Sequence, residues 1–194
     1  MKSIKSNVKN ELVITKSKFI TFLYRVNTID EINNYLDELK KEYKDATHHC
    51  YAYILNNTKK ASDDKEPSGT AGMPILNVLE HNDLTNVLAV VVRYFGGTKL
   101  GTGGLTHAYS DSTLECLKKI SIIEIEKGYL IHIKYPYERI KEIDYLLKDY
   151  QIKEKVFDSL IEEDLYGNDD LIELLKNNNI EYKIIDNLYI EKVH

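Results

Sequence analysis

Residues 93–104, RYFGGTKLGTGG, have the composition of a loop that binds anions. The segment lies between a strongly apolar stretch and a helical pattern, and five of residues 96–104 are glycine. Glycines let backbone N–H groups turn outward, and the N-terminus of a helix adds unpaired donors and partial positive charge. Arg93 and Lys99 would add full charges. The pattern predicts a site for a phosphate, a carboxylate or a nucleic-acid backbone.

The alternative for this segment is a tight turn from strand to helix, whose glycines only supply positive φ angles. The spacing matches neither a Walker A loop nor the G-x-G-x-x-G pattern. Tyr94 and Phe95 would stack on bases there, although packing at a strand end is the commoner role of such a pair. The candidate binding residues in and after the segment are Arg93, Tyr94, Gly96, Gly97, Lys99, Gly101, Gly103, Gly104 and His107.

A second segment, residues 62–72 (SDDKEPSGTAG), is rich in carboxylates and hydroxyl groups. Carboxylate oxygens bind Mg²⁺, and hydroxyl groups donate to phosphates. The alternative is a solvated loop in which Ser68 or Thr70 caps the following helix. Ser68 is disfavoured as a nucleophile because no G-x-S-x-G elbow surrounds it. The candidate binding residues here are Asp63, Asp64, Glu66, Ser68 and Thr70.

The tripeptide His48-His49-Cys50 raises the possibility of a metal site or a nucleophile. On a strand, His48 and Cys50 would share one face and His49 the other. Zinc needs about four ligands, and the chain has no C-x-x-C or H-x-x-x-H elsewhere. His107 and Cys116 would join only through the fold. A half-buried cysteine beside a hydrogen-bonded histidine is therefore favoured, and His48 is kept as a binding residue. No metal site and no catalytic residue is expected.

The elements that position these segments follow from periodicity. Residues 11–26 predict extended structure, and residues 50–55 a strand. Thr28 and Glu31 have capping-box spacing at the start of a helix. Residues 56–68 predict a loop, Pro74 an early helical position, and residues 84–95 a central strand that is apolar on both faces. A further helix is expected from Leu105 onward.

After Gly128 the pattern restarts in the order βαββαβ, which is that of a ferredoxin-like sandwich. The chain is therefore expected to be α+β with two domains, residues 1–127 and 128–194. Charge supports this division, because the first part carries 17 Lys and Arg against 16 Asp and Glu, and the second 9 against 15. The acidic second part is not expected to bind phosphates through bulk charge.

Composition excludes several classes of protein. The chain has 194 residues, 43% hydrophobic and 29% charged, with a net charge of −5. These values are ordinary for a globular protein and exclude disorder as the main state. The longest apolar run is far shorter than a membrane span of about 20 residues, and the N-terminus has no signal-peptide pattern. Two cysteines do not make a disulfide framework, so a cytoplasmic location is expected.

Three blocks together resemble the signature of the IMPACT/YigZ family. They are HHCYAY (residues 48–53), SDDKEPSGTAGMP (residues 62–74) and VVVRYFGGTKLGTGGLTHAYSDS (residues 90–112), in the family's order. The matching motif positions are His48, His49, Asp63, Asp64, Glu66, Pro67, Gly69, Thr70, Gly72, Arg93, Tyr94, Gly96, Gly97, Gly101, Gly103, Gly104 and Tyr109. One departure is His107, because the family often has Arg or Lys near this position. A fixed positive charge is thereby lost, which weakens the anion site.

The resemblance implies a fold and a role. The N-terminal domain would be similar to the second domain of a small-subunit ribosomal protein, and the C-terminal domain to the ferredoxin-like final domain of elongation factor G. Eukaryotic relatives act in translational control, and the family implies no firmly established enzymatic activity and no cofactor. The expected partners are the ribosome, RNA or a translation-related protein, with no membrane.

Three functional hypotheses follow. The first is a non-catalytic, translation-associated regulatory protein that binds RNA or the ribosome through the glycine-rich loop. The second is a phosphate- or nucleotide-dependent enzyme, or a small-molecule binder, at the same loop. The third is a protein-interaction module whose binding surface lies elsewhere and would show as an exposed apolar patch.

Overall fold

The computed structural model describes residues 1–192, which divide into two compact units. The first unit is Met1–Glu124, and the second begins at Ile125. The division falls three residues before the expected boundary, inside one long strand. Within residues 1–192 the structure contains no helix that is both long enough and apolar enough to cross a membrane.

The first unit is built on a five-stranded antiparallel sheet with the order β2-β3-β6-β4-β5. The central strand β6 is buried from Val87 through Arg93, which confirms the prediction of a central apolar strand. A short additional strand, β1, pairs with the first residues of β7 (Ile122–Tyr135). The strands of this unit are β1 (Lys2–Ile4), β2 (Val8–Ile14), β3 (Ser17–Arg25), β4 (His48–Leu55), β5 (Thr58–Ser62) and β6 (Val87–Tyr94).

Two predictions for this sheet differ from the structure. The extended stretch at residues 11–26 is a hairpin of β2 and β3, turned at Thr15 and Lys16, both of which have positive φ. The predicted loop at residues 56–68 contains β5. This edge strand was missed because its sequence, TKKAS, is polar and mostly exposed, so it carries no hydrophobic alternation.

Helices cover both faces of the sheet. Helix α1 (Ile29–Glu42) begins at Thr28, whose Oγ1 accepts a hydrogen bond from Glu31 N (3.2 Å). This confirms the predicted cap, and α1 packs its apolar face on one side of the sheet. Helices α2 (Gly72–His81) and α3 (Gly101–Leu117) pack on the other side. Helix α3 begins at Gly101 rather than Leu105, so three of the five glycines belong to its first turn instead of to the loop.

The second unit is a ferredoxin-like sandwich, as predicted. Its four strands pair in the antiparallel order β10-β7-β9-β8, and a core that includes Ile131, Ile143 and Leu165 lies between the sheet and the two helices. A single 3₁₀ turn, Tyr137–Arg139, precedes α4. The elements are β7 (Ile122–Tyr135), α4 (Ile140–Leu146), β8 (Gln151–Phe157), β9 (Ile161–Gly167), α5 (Asp169–Asn177) and β10 (Glu181–Glu191).

Candidate functional site

The antiparallel pairing of β4 and β6 brings two sequence-predicted segments together. His48 at the start of β4 lies opposite Arg93 near the end of β6. Because side chains alternate along a strand, Arg93 faces α2 and α3, whereas Tyr94 faces the side covered by α1. The acidic segment that follows β5 reaches the same corner through Glu66.

Glu66 and Arg93 form a buried ion pair. Arg93 Nη1 lies 2.5 Å from Glu66 Oε1, and the two residues are 4% and 8% exposed. Glu66 Oε1 also accepts a hydrogen bond from Tyr109 Oη (2.7 Å) and lies 3.6 Å from His48 Nε2. A buried charge requires such partners, because burial in a poorly polar interior is otherwise strongly unfavourable. The charge of Arg93 is therefore largely balanced inside the fold.

Tyr109 connects this ion pair to the core. Its ring packs edge-on against Phe19, with centroids 5.3 Å apart, and its hydroxyl oxygen lies 3.3 Å from Cys50 Sγ. Burial raises the pKa values of both Tyr109 and Cys50 well above their ordinary ranges. The Cys50 thiol, 3.0 Å from the carbonyl oxygen of Asp63, is therefore protonated at neutral pH. A protonated buried thiol is a poor nucleophile, which supports the structural interpretation of this cysteine.

The carboxylate of Asp63 accepts three hydrogen bonds from the backbone of its own segment, residues 62–72. Its Oδ2 accepts a hydrogen bond from Gly69 N (2.8 Å), and its Oδ1 accepts from Ala71 N (3.1 Å) and Gly72 N (2.8 Å). Burial acts to raise the pKa of Asp63, but these three backbone donors outweigh burial and lower it. Asp63 thus caps the start of α2, a role that the sequence analysis gave to Ser68 or Thr70. Thr70 Oγ1 instead donates to the carbonyl of Pro67 (2.6 Å).

Asp64 joins the acidic segment to β4. Its Oδ2 accepts a hydrogen bond from His49 N (2.6 Å), and its carbonyl oxygen lies 2.8 Å from His48 Nδ1. Asp64 and Lys65 both have positive φ, so the chain turns sharply there. Among residues 1–192, no three His, Cys, Asp or Glu side chains are arranged to hold a metal ion.

The five glycines of residues 93–104 have different roles. A Cβ on Gly96 would lie 2.1 Å from the backbone carbonyl of Lys16, so this position requires glycine for close approach. Gly97 and Gly101 have φ angles of +85° and +73°, which favour glycine. Gly103 has open space around its Cβ position, and Gly104 lies near Leu100 Cβ. Turn geometry therefore explains Gly97 and Gly101, close backbone packing explains Gly96, the tight contact with Leu100 favours glycine at position 104, and Gly103 is left unexplained.

A cleft of about 370 Å³ opens where these segments meet. It contains the start of α3, the ion pair, Lys99 and His48. Six of the lining residues were not among the binding residues expected from the sequence, and of these only Phe95 had a signal, as the neighbour of Tyr94 in a pair considered for base stacking. The lining residues are Thr47, His48, Glu66, Pro67, Arg93, Phe95, Lys99, Leu100, Gly101, Thr102 and Leu105. Ten of the residues expected to bind a ligand lie outside this lining, and only one of the five loop glycines, Gly101, belongs to it; those outside are Tyr94, Gly96, Gly97, Gly103, Gly104, His107, Asp63, Asp64, Ser68 and Thr70.

The fold and the cleft define a two-unit α+β protein with a cleft that includes Lys99 at the N-terminus of a helix. The family model for the Impact N-terminal domain matches residues 15–117. The IMPACT family member YvyE of Bacillus subtilis is 40% identical over 172 residues, which cover 83% of this chain and 79% of YvyE. The IMPACT family member YigZ of Escherichia coli is 38% identical over 113 residues, covering 56% of this chain and 55% of YigZ. The chain belongs to the IMPACT family.

One solved structure agrees with the fold. A crystal structure of a protein described as hypothetical superposes with a TM-score of 0.66 at 26% identity, covering 95% of this chain and 97% of the other. A structure described as the two-domain translational regulator Yih1 gives a TM-score of 0.35 at 21% identity, over 61% of this chain and 46% of that one. The second similarity is too low to support an argument about function.

Proposed function

We propose that the protein is a non-catalytic regulator associated with translation, which binds RNA or the ribosome through the cleft at the start of α3. The observation that carries the proposal is the meeting of an uncapped helix N-terminus and the exposed Lys99 in one cleft. Helix α3 has no acidic residue in its first turn and no side-chain cap, so its N–H groups are available to an anion.

The charges in the cleft favour an anionic partner. Arg93 and Glu66 balance each other, which leaves the full charge of Lys99 and about half a charge from the helix dipole. Arg93 Nη1 is directed to Glu66 and Nη2 donates to Ser17 Oγ (3.3 Å), while Arg93 Nε is buried without a hydrogen-bond partner among residues 1–192.

The absence of catalysis is proposed from the work that the acidic residues already do. Asp63 caps α2, Glu66 neutralises Arg93, and Asp64 holds the start of β4. None of these carboxylates is left to act as a general base without dismantling the loop. The translational part of the proposal is supported by membership of the IMPACT family and by the ferredoxin-like second unit, as in the final domain of elongation factor G. Fold similarity is a supporting argument by analogy.

Co-sedimentation with ribosomes tests the proposal. The wild-type protein is expected to sediment with ribosomes at low salt and to be released as salt rises, because phosphate contacts release counterions. Lys99→Glu reverses a charge in the cleft and is expected to abolish this binding. Lys60→Glu, an equal change at an exposed residue of β5 outside the cleft, serves as the matched control. Equal sedimentation of the two variants would contradict the proposal.

A second candidate is a phosphate- or nucleotide-dependent enzyme or small-molecule binder at the same cleft. The volume of about 370 Å³ favours it, because small-molecule sites occupy about 300–1,000 Å³. A nucleotide present with Mg²⁺ at about 100 times its dissociation constant would stabilise the fold by about 2.7 kcal/mol. One nucleotide should then raise the thermal midpoint of the wild-type protein by several degrees and leave the midpoint of Lys99→Glu unchanged. This pair of results would favour this candidate over RNA binding.

A further inference from the structure

A second groove, of about 500 Å³, lies in the first unit at the ends of β2, β3 and β6. Apart from Tyr94 and Phe95, the sequence analysis assigned none of its residues to a site. Three lysines and three aromatic residues line it together with one carboxylate and one isoleucine. The lining residues are Lys9, Glu11, Lys16, Lys18, Ile20, Tyr43, Tyr94 and Phe95.

The groove carries net positive charge. Glu11 lies 3.3 Å from Lys18 Nζ, and both side chains are about half exposed, so this pair is weak and exchangeable. Lys9 Nζ donates to Tyr43 Oη (2.8 Å), a neutral partner that leaves its charge in place. Lys16 is exposed at the turn between β2 and β3. Among the lining residues, three positive charges therefore face one negative charge, and a second carboxylate, that of Asp45, accepts a hydrogen bond from Tyr94 Oη (2.9 Å).

Phe95 lines both this groove and the cleft at the start of α3. It is 46% exposed, although phenylalanine is among the residues most often buried. Its backbone N–H donates to Thr47 Oγ1 (3.0 Å), and the guanidinium carbon of Arg93 lies 5.6 Å from its ring centroid. These contacts hold an exposed aromatic ring at the boundary between two electropositive depressions.

The ridge between the groove and the cleft is firmly built. Gly96 packs directly on the backbone of Lys16 and Ser17, where no Cβ would fit. Ser17 Oγ accepts hydrogen bonds from Gly96 N (3.2 Å) and from Arg93 Nη2 (3.3 Å). The lysine-bearing hairpin turn and the glycine-rich loop therefore form one preorganised surface.

Alternating lysines and aromatic rings match the chemistry of single-stranded nucleic acids. Lysines track the phosphate backbone, and each exposed ring offers a face on which a base can stack. A duplex keeps its bases stacked inside the helix and cannot use these rings. An acidic peptide would use the lysines but would gain little from Phe95, so the exposed ring favours a nucleic acid over a peptide.

Resting on the proposed function, we propose that a single-stranded RNA segment crosses this ridge. One base stacks on Phe95 and a neighbouring base on Tyr94. Phosphates lie beside Lys16 and Lys18 in the groove and reach Lys99 and the start of α3 in the cleft. The groove and the cleft then form one continuous site, and the glycine-rich loop lies beneath the RNA.

Fluorescence anisotropy with a labelled 12-nucleotide uridine RNA tests this proposal on the full chain. Phe95→Ala is expected to weaken binding at least about fivefold, since stacking of one base contributes about 1–3 kcal/mol. Phe95→Tyr keeps the ring and is expected to retain binding. Phe157→Ala removes an aromatic ring from the second unit that is 58% exposed, and it is the matched control with unchanged affinity.

The lysines are tested through the salt dependence. Lys16→Gln combined with Lys18→Gln is expected to lower the slope of log affinity against log salt by about 1.4, because each lost contact to a single strand removes about 0.7. Lys60→Gln should leave the slope unchanged. Circular dichroism of each variant confirms that the fold is intact.

Several outcomes would overturn the inference. They are no affinity for the single strand at low salt, equal affinity for a duplex of the same length, binding insensitive to Phe95→Ala, or displacement of the RNA by polyglutamate at an equal concentration of charge. If ribosome sedimentation remains sensitive to Lys99→Glu while any of these occurs, the proposed function stands and only the path of the RNA across Phe95 is wrong.

Discussion

Replacing Glu66 with glutamine removes a negative charge from a place where its partner has almost no access to water. Arg93 and Glu66 are 4% and 8% exposed, and 2.5 Å separates the paired atoms. Glutamine keeps the shape and an oxygen acceptor for Tyr109 Oη, but it leaves the guanidinium charge buried without a counterion. Breaking one side of a buried pair typically lowers the free energy of unfolding by about 3–5 kcal/mol.

Urea unfolding of the full chain, followed by circular dichroism, measures this loss. For a slope of about 2 kcal/mol/M, a loss of about 3 kcal/mol lowers the midpoint of the first unit by about 1.5 M. Glu80→Gln is the matched control, because Glu80 pairs with Lys59 at the surface of the same unit. Exposed pairs contribute about 0–1 kcal/mol, so the control should shift the midpoint by less than about 0.5 M.

Adding Arg93→Met to Glu66→Gln should restore part of the lost stability, because the methionine removes the orphaned charge and keeps an apolar stem. The loss of unfolding free energy in the double variant should then be smaller than the sum of the losses in the two single variants, and a double-mutant cycle measures this difference. If Glu66→Gln lowers stability no more than Glu80→Gln does, Arg93 does not depend on Glu66 for its charge balance and the account of the site is wrong.

Three further substitutions test other parts of the site. Tyr109→Phe removes the hydroxyl that donates to Glu66 and should lower unfolding free energy by about 1.5–3 kcal/mol in urea titrations, with no loss if that hydrogen bond is absent. Gly96→Ala should destabilise by more than about 1 kcal/mol through its clash with the Lys16 backbone, whereas Gly103→Ala, in open space within α3, should be neutral or stabilising. Because the folded pKa of Asp63 lies below its ordinary value of 3.8, its stabilising contribution is complete above that pH and is lost as the pH falls through the folded pKa. The difference in thermal midpoint between wild type and Asp63→Asn should therefore shrink below pH 3.8, and a constant difference would contradict the capping role.

The sequence predicted those elements whose signals are local. The helix cap at Thr28, the apolar strand at residues 87–94 and the βαββαβ order of the second unit depend on spacing within a few residues. Strand β5 and the turn at residues 15–16 were missed because β5 is polar and the turn lacks glycine, proline, asparagine or aspartate. In α3, the glycines masked the first turn, because glycine has a low helix propensity.

The sequence predicted individual residues of the site but not the contacts between them. The motif residues Glu66 and Arg93 were each identified, but their pairing was not. They are 27 residues apart in sequence, and they meet only through the register of β4 against β6 and the course of the chain between them. Asp63 was assigned to ligand chemistry because its three backbone partners form only after the loop closes on itself. The basic groove escaped notice because its lysines are scattered along β2 and β3, far in sequence from Phe95.

The most direct test of the account is an NMR titration of the full chain, labelled with ¹⁵N, with a short single-stranded RNA. Binding at the start of α3 places phosphates against the backbone N–H groups of its first turn. We expect saturable shifts of the amide signals of Gly101, Thr102 and Gly103, with unchanged signals for Gly167 in the second unit. Saturable shifts confined to other surfaces, or no shift at low salt, would contradict the claim that this cleft binds RNA.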